Sequence, residues 1–231
     1  SKGRFAGMVK QKRRLQKGAA LALSLLLLLG SLAGCGGKPQ EDASSAEEPS
    51  SSYTPPINDD GYIVVTMPVT LSGGNTAKQL EAQHQALIAG MSKEEIEQLS
   101  WSNVTANKDG SFNYIFTPEQ FQRTKEISYM SGKLIDAATN TFPQEFIKAA
   151  EYADVDEAGI PWTLVASVDR KAYESFTLVN SYYVTLSPAI YIGMYQIFCG
   201  VPGEEWAAHV TVKDADTGEV ISEHDFPTRG E

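Results

Sequence analysis

Cysteine occurs at only two of 231 positions, Cys35 and Cys199. A scaffold of several disulfides is therefore excluded, and any exported form of this chain must be held by an apolar core. Histidine is nearly as scarce, at His84, His209 and His224, which leaves few ways to build an imidazole metal site. Catalytic signatures are missing as well. No Gly-x-Ser-x-Gly elbow, His-Glu-x-x-His pair or phosphate-cradling glycine loop occurs. Basic residues run short beyond position 35. Seven of the 19 Lys and Arg residues, and none of the 29 acidic residues, precede Cys35, so the chain from Cys35 onward holds 12 basic against 29 acidic residues, a net charge of −17. Such a chain lacks the cations that displace counterions from a phosphate backbone, which excludes nucleic acid as a partner. Anionic lipid head groups should also repel it. Finally, no side chain is charged from residue 175 to residue 203.

The start of the chain is where the sequence speaks most clearly. Lys2, Arg4, Lys10, Lys12, Arg13, Arg14 and Lys17 form a basic zone. Residues 19–29 are apolar apart from Ser24. As a helix they would reach roughly 17 Å at about 1.5 Å per residue, against a hydrocarbon core of about 30 Å. The small residues Gly30, Ala33 and Gly34 come next. Basic zone, short apolar zone and small-residue zone, in that order, predict an export signal. Leu32-Ala33-Gly34-Cys35 resembles the lipobox of bacterial lipoproteins at every position. That resemblance implies cleavage between Gly34 and Cys35 and a diacylglycerol on the Cys35 sulfur. Residues 1–34 are then the signal peptide, and the product sits on the extracytoplasmic face of the bacterial cell membrane. Two acyl chains, at about 0.8 kcal/mol per buried CH₂, hold a protein where one holds it only marginally. The rival reading is an uncleaved membrane anchor over residues 18–36.

Residues 35–60 read as a lipidated cysteine followed by an acidic Ser/Pro-rich tether, with only Tyr53 and Ile57 available for burial. Its 25 residues after Cys35 would span at most about 80–90 Å. Residues 61–231 are expected to form a single α+β domain, with a mainly antiparallel sheet packed by several helices. Ile63, Val65, Met67, Val69 and Leu71 alternate as a strand, with Pro68 marking its edge or end. Asn75 or Thr76 starts a helix, and Ser92 with Glu95 makes a capping box for a second. Val104 and Ala106 lead through Asn107-Lys108-Asp109-Gly110 to Phe112, Tyr114 and Phe116, which predicts a hairpin. Thr117-Pro118-Glu119-Gln120 opens a helix whose buried stripe is read as Ile127, Met130, Leu134 and Ala138. Residues 142–152 read as helix, and Trp162 to Val168 as strand, with Asp169 capping the next helix. A long apolar helix near residues 170–199, kinked or divided at Pro188, is expected at the centre of the domain. A second membrane span over this region is its rival, disfavoured by Asn180 and Gln196. The chain closes with a hairpin over residues 206–213 and 220–226.

Candidate chemistry is thin. His84 lies on the apolar face of its helix and reads as a hydrogen-bonded core residue. If residues 215–218 form the hairpin loop, Asp214 faces Glu219 and, by the same count, His209 faces His224. That pair is the weak candidate for a Zn²⁺ or Cu²⁺ site, and a bulge would undo it. Asp214-Ala215-Asp216 and Asp154-Val155-Asp156 resemble fragments of a calcium loop, but glycine and ligand positions fail, so turn chemistry is the expectation. Cys199 is expected to be a buried small hydrophobe.

Beyond the tether, the chain resembles a group of small Gram-positive bacterial lipoproteins of unknown activity, some labelled as similar to an antigen I/II amino-terminal domain. The cues are Ile63-Val64-Val65-Thr66-Met67-Pro68, Asn107-Lys108-Asp109-Gly110-Ser111, Val168-Asp169-Arg170 with Tyr173, Met194-Tyr195-Gln196 with Phe198 and Gly200, and Asp216-Thr217-Gly218-Glu219-Val220. The resemblance implies a lipid-anchored surface protein and brings no catalytic residues and no cofactor. The leading expectation is a non-enzymatic binding or interaction module with an unknown protein or small-molecule partner. A small-ligand or metal carrier is the alternative, and an envelope hydrolase the third.

Overall fold

The computed structural model describes residues 53–228. The expected signal peptide, the expected cleavage and lipidation site at Gly34/Cys35 and the expected tether up to residue 52 lie outside the described residues. The last part of the tether is not bare: Pro55 is buried, and Ile57 forms a bridge with Ile63. Asn58 closes the turn between them by accepting from the Asp60 and Tyr62 amides.

The domain is α+β, with two sheets. The first is antiparallel and ordered β1-β3-β2, from β1 (Ile63–Met67), β2 (Asn103–Ala106) and β3 (Phe112–Phe116). Strict alternation sends Ile63, Val65 and Met67 inward from β1, and Phe112, Tyr114 and Phe116 from β3. Pro68 ends β1 and leads into a 3₁₀ turn, Val69–Leu71. α1 (Ala77–Ile88) and α2 (Lys93–Glu97) come after it. Ser92 and Glu95 make the reciprocal cap expected, and of the two candidate starts for α1 it is Thr76 that caps it, in a second reciprocal box with Gln79. α1 shields the edge of the sheet: Glu81 accepts from the Ala106 amide, and Gln85 donates to Asn103.

α3 (Pro118–Gly132) starts on the Thr117/Gln120 box, with Pro118 at its first position. It ends sooner than expected, so that Leu134 is buried as expected but lies just past the helix, and the helix itself buries a different stripe. Phe121, Thr124, Ser128 and Gly132 face inward, while Ile127 and Met130 are only half-buried. Small and polar side chains let α3 approach its neighbour closely, so hydrophobicity alone pointed to the wrong face. Residues 142–152 are likewise not a helix. They lead into β4 (Ile147–Val155), an edge strand of the second sheet. Three register shifts against its partner break the alternation that would have announced a strand.

The second sheet is ordered β4-β5-β6-β7, with β5 (Pro161–Val168), β6 (Ala208–Asp214) and β7 (Val220–Phe226). β5 and β6 are parallel, so the chain between them must cross over the sheet. That crossover is the region expected to be one long apolar helix, and it is not one. It divides into α4 (Arg170–Glu174), α5 (Thr177–Ser181), a π-helical turn Tyr182–Leu186, and α6 (Ser187–Phe198). Asp169 caps α4 through the Ala172 amide. Phe176 then leaves helical geometry at φ −145° and ψ 54°. The wide π turn comes just before Pro188, whose ring has no N–H and crowds the carbonyl four residues back. Only α6 is central. It packs on α3 and also contacts β1, β5 and β6. Phe116, Phe121 and Phe198 join β3, α3 and α6 in edge-to-face contacts with centroids 5.4–5.7 Å apart. Among the described residues no helix is long and apolar enough to cross a membrane.

Candidate functional site

A group of titratable side chains lies on the solvent face of the second sheet. His209 and Thr211 are two residues apart on β6 and so point the same way. β7 places Asp225 opposite His209 and Glu223 opposite Thr211. β5, on the other side, sets Thr163 and Val165 at the same two levels. The His209 Nδ1 lies 2.7 Å from Asp225 Oδ1, and its Nε2 lies 3.2 Å from Thr211 Oγ1 and 3.9 Å from Glu223 Oε1. With Asp225 ionised, Nδ1 carries the proton, and Nε2 is left to accept from the Thr211 hydroxyl. Carboxylate, imidazole and hydroxyl in series is the order used to activate an oxygen nucleophile. Here Thr211 is 6% exposed, so its hydroxyl is covered, whereas Asp225, at the other end, stands almost wholly in water.

His224 is not part of this group. The turn is as expected, with the Asp214 amide donating to the Glu219 carbonyl. The register then shifts: Lys213 faces Val220 but Val212 faces Ser222, leaving Ile221 extra on β7. This one-residue bulge moves His224 opposite Val210 and turns its side chain to the other face of the sheet. There it stacks near Phe226, with ring centroids 6.3 Å apart. The two imidazoles therefore do not meet. Among the described residues no group of three or more His, Cys, Asp or Glu side chains is arranged to hold a metal ion.

No protein-family model, curated protein or solved structure matches this chain.

The other singled-out residues have structural work. His84 is 2% exposed, with Nε2 3.2 Å from the Ser102 carbonyl. Burial, only partly opposed by that bond, lowers its pKa. The Nε2 proton goes to the carbonyl, so the buried Nδ1 is left with no partner. Asp156 accepts from the Ala158 and Ile160 amides, as a turn residue does. Asp214 accepts from the Asp216 amide and the Thr217 hydroxyl. The Asp216 amide, and after it Thr217 and Arg170, hold its carboxyl below the ordinary range. Arg170 also reaches Glu219 at 3.0 Å, tying α4 to the hairpin. Both acidic motifs thus serve their own turns. Cys199 is buried beside Ile160 and Tyr195.

Sequence reasoning missed a surface feature. The first half of the crossover was read as buried, yet Phe176 is 64% and Leu178 87% exposed, and Val179 and Leu186 are also exposed. Leu178, Val179, Tyr182 and Leu186 keep the i, i+1, i+4, i+8 spacing that puts side chains on one side of a helix. Val184 and Thr185 are the buried residues of the π turn. The only hint in the sequence is the polar Ser175, Thr177, Asn180 and Ser181 interleaved with apolar residues, which is the mark of a helix that is not wrapped by the core.

Proposed function

We propose that this protein is an extracytoplasmic lipoprotein, anchored through a diacylglycerol on Cys35, whose folded domain makes contacts rather than performing catalysis. The observation that carries the contact role is the exposed apolar group at Phe176, Leu178, Val179 and Leu186 in a stretch without charge. Monomeric proteins seldom leave large side chains together in water without a use for them. The covered Thr211 hydroxyl speaks against reading the Asp225–His209–Thr211 series as a working nucleophile. A carrier built on His209 and His224 loses its support from the offset register. The anchor is supported by Leu32-Ala33-Gly34-Cys35 and the zones before it. It also fits the resemblance to small Gram-positive lipoproteins.

Mass spectrometry of the protein recovered from its native membrane tests the anchor. Chains beginning at Cys35 and carrying two acyl groups are expected. A bare Cys35 with residues 1–34 still attached would remove the reading.

A further inference from the structure

We infer that the apolar group on α5 and the π turn inserts into the interface of the same bilayer that holds Cys35. This docking rests on the anchored reading and adds to it an orientation: the domain is seated on the membrane at a defined place. Three observations favour a lipid surface as the occupant.

The first is size. Phe176, Leu178, Val179 and Leu186, with Tyr182 beside them, are five residues, against roughly 20–30 a side in a stable specific protein interface. A patch this small binds weakly on its own. A tethered patch needs no more than weak binding, because a short link raises the effective concentration to about the millimolar range.

The second is charge. An acidic domain is pushed away from anionic head groups over most of its surface. Between Glu174 and Glu204 there is no charged side chain, so this is where close approach costs least. Phe and Leu with neighbouring tyrosines are also the side chains that settle at the boundary between head groups and acyl chains.

The third is reach. Residues 36–52 separate Cys35 from Tyr53, the first described residue. Seventeen residues span up to about 60 Å. Tyr53 lies over Gly200, where an added Cβ would come within 2.8 Å of its ring. From Gly200 back to Leu178, across α6, the π turn and α5, the chain covers at most roughly 33 Å at about 1.5 Å per residue. The leash is therefore long enough for the patch to touch the membrane in which it is rooted.

The test uses the acylated full chain reconstituted in phosphatidylcholine vesicles, with and without bromine on the acyl chains. Leu178→Trp places a reporter at the most exposed apolar position, and Val220→Trp places one on β7, which is also exposed. Expected is loss of the Leu178→Trp contribution to emission in brominated vesicles, unchanged by added salt, with the Val220→Trp contribution retained. In the unaltered chain, amide exchange over residues 176–186 should slow on reconstitution. Equal emission of the Leu178→Trp chain in both kinds of vesicle, from protein that floats with them, overturns the inference and leaves the anchor standing. Equal quenching of both reporters also overturns it, since the domain then has no preferred face. Energy transfer between copies that survives dilution in detergent would seat a second copy on the patch and overturn it too. Failure of the anchor itself is read separately, from the mass at Cys35.

Discussion

His84 and Gln196 are both polar, both inside, and satisfied to different degrees. Gln196 is fully buried, donates to the Pro161 and Ala207 carbonyls at 2.7 Å, and accepts from the Ala207 amide at 3.0 Å. It therefore holds the start of β5 and the approach to β6 onto α6. Replacing it by leucine leaves two carbonyls and an amide without partners, and the expected loss is about 3 kcal/mol, measurable by urea unfolding. His84 keeps one nitrogen unpaired, and its folded state favours the neutral ring. The unfolded chain takes up a proton near the ordinary value of 6.5, and the folded chain only at lower pH. Stability is then complete above that value and falls as pH drops through it toward the lowered folded value. The difference in unfolding midpoint between the native chain and His84→Gln should shift in favour of the variant between about pH 7.5 and about pH 5.5. A difference that stays constant over that range would show that His84 does not titrate differently on folding. Burial of His84 was legible from its place on the apolar face of α1. The orphaned Nδ1 was not, because it depends on which carbonyl of a distant segment comes to meet the ring.

At the scale of elements, capping was the most readable layer. Ser92, Thr117 and Asp169 cap the helices they were expected to open, and Thr76, one of two candidates with Asn75, caps α1, since a cap is decided within four residues. Faces were harder. α3 turns Thr124, Ser128 and Gly132 inward because it lies close to α6 and to Tyr152, whose hydroxyl would sit 2.6 Å from a Cβ placed on Gly132. α6 makes the same demand at Gly193, where a Cβ would meet Trp206 at 2.6 Å and Leu71 at 2.9 Å. Gly193→Ala is helix-favouring in isolation, by about 1 kcal/mol. Overpacking against an indole and a leucine should reverse the sign, for a net loss of about 1–2 kcal/mol, seen as a lower thermal midpoint. β4 escaped detection because its bulges erase the two-residue period. The His209/His224 pairing failed at a single extra residue, Ile221, in β7. A register is set by the whole ladder, and no short stretch of sequence reports a bulge.

For the molecule as a whole, charge and topology decide. Excess acid places like charges around a single core, and screening them should stabilise it. The thermal midpoint is expected to rise as sodium chloride is raised from about 0.01 M to about 0.15 M, over which the Debye length falls from roughly 30 to 8 Å. A flat or falling midpoint would mean that favourable pairs such as Arg170 with Glu219 outweigh the repulsion. The α+β class, most helix starts, the two hairpins and the β5 strand came from the sequence alone, because each depends on neighbours a few residues away. The basic, apolar and small-residue zones before Cys35 and the −17 balance from Cys35 onward are also properties of the chain itself. Tertiary structure alone decided three things. It paired β5 with β6 in parallel, which made residues 169–207 a crossover. It broke the apolar run at Phe176 and again before Pro188, sinking α6 and leaving Leu178 in water. It also brought Asp225, and not His224, to His209. Each is a choice among locally equivalent arrangements, settled by contacts between residues far apart in the chain and by the space that packed side chains leave one another.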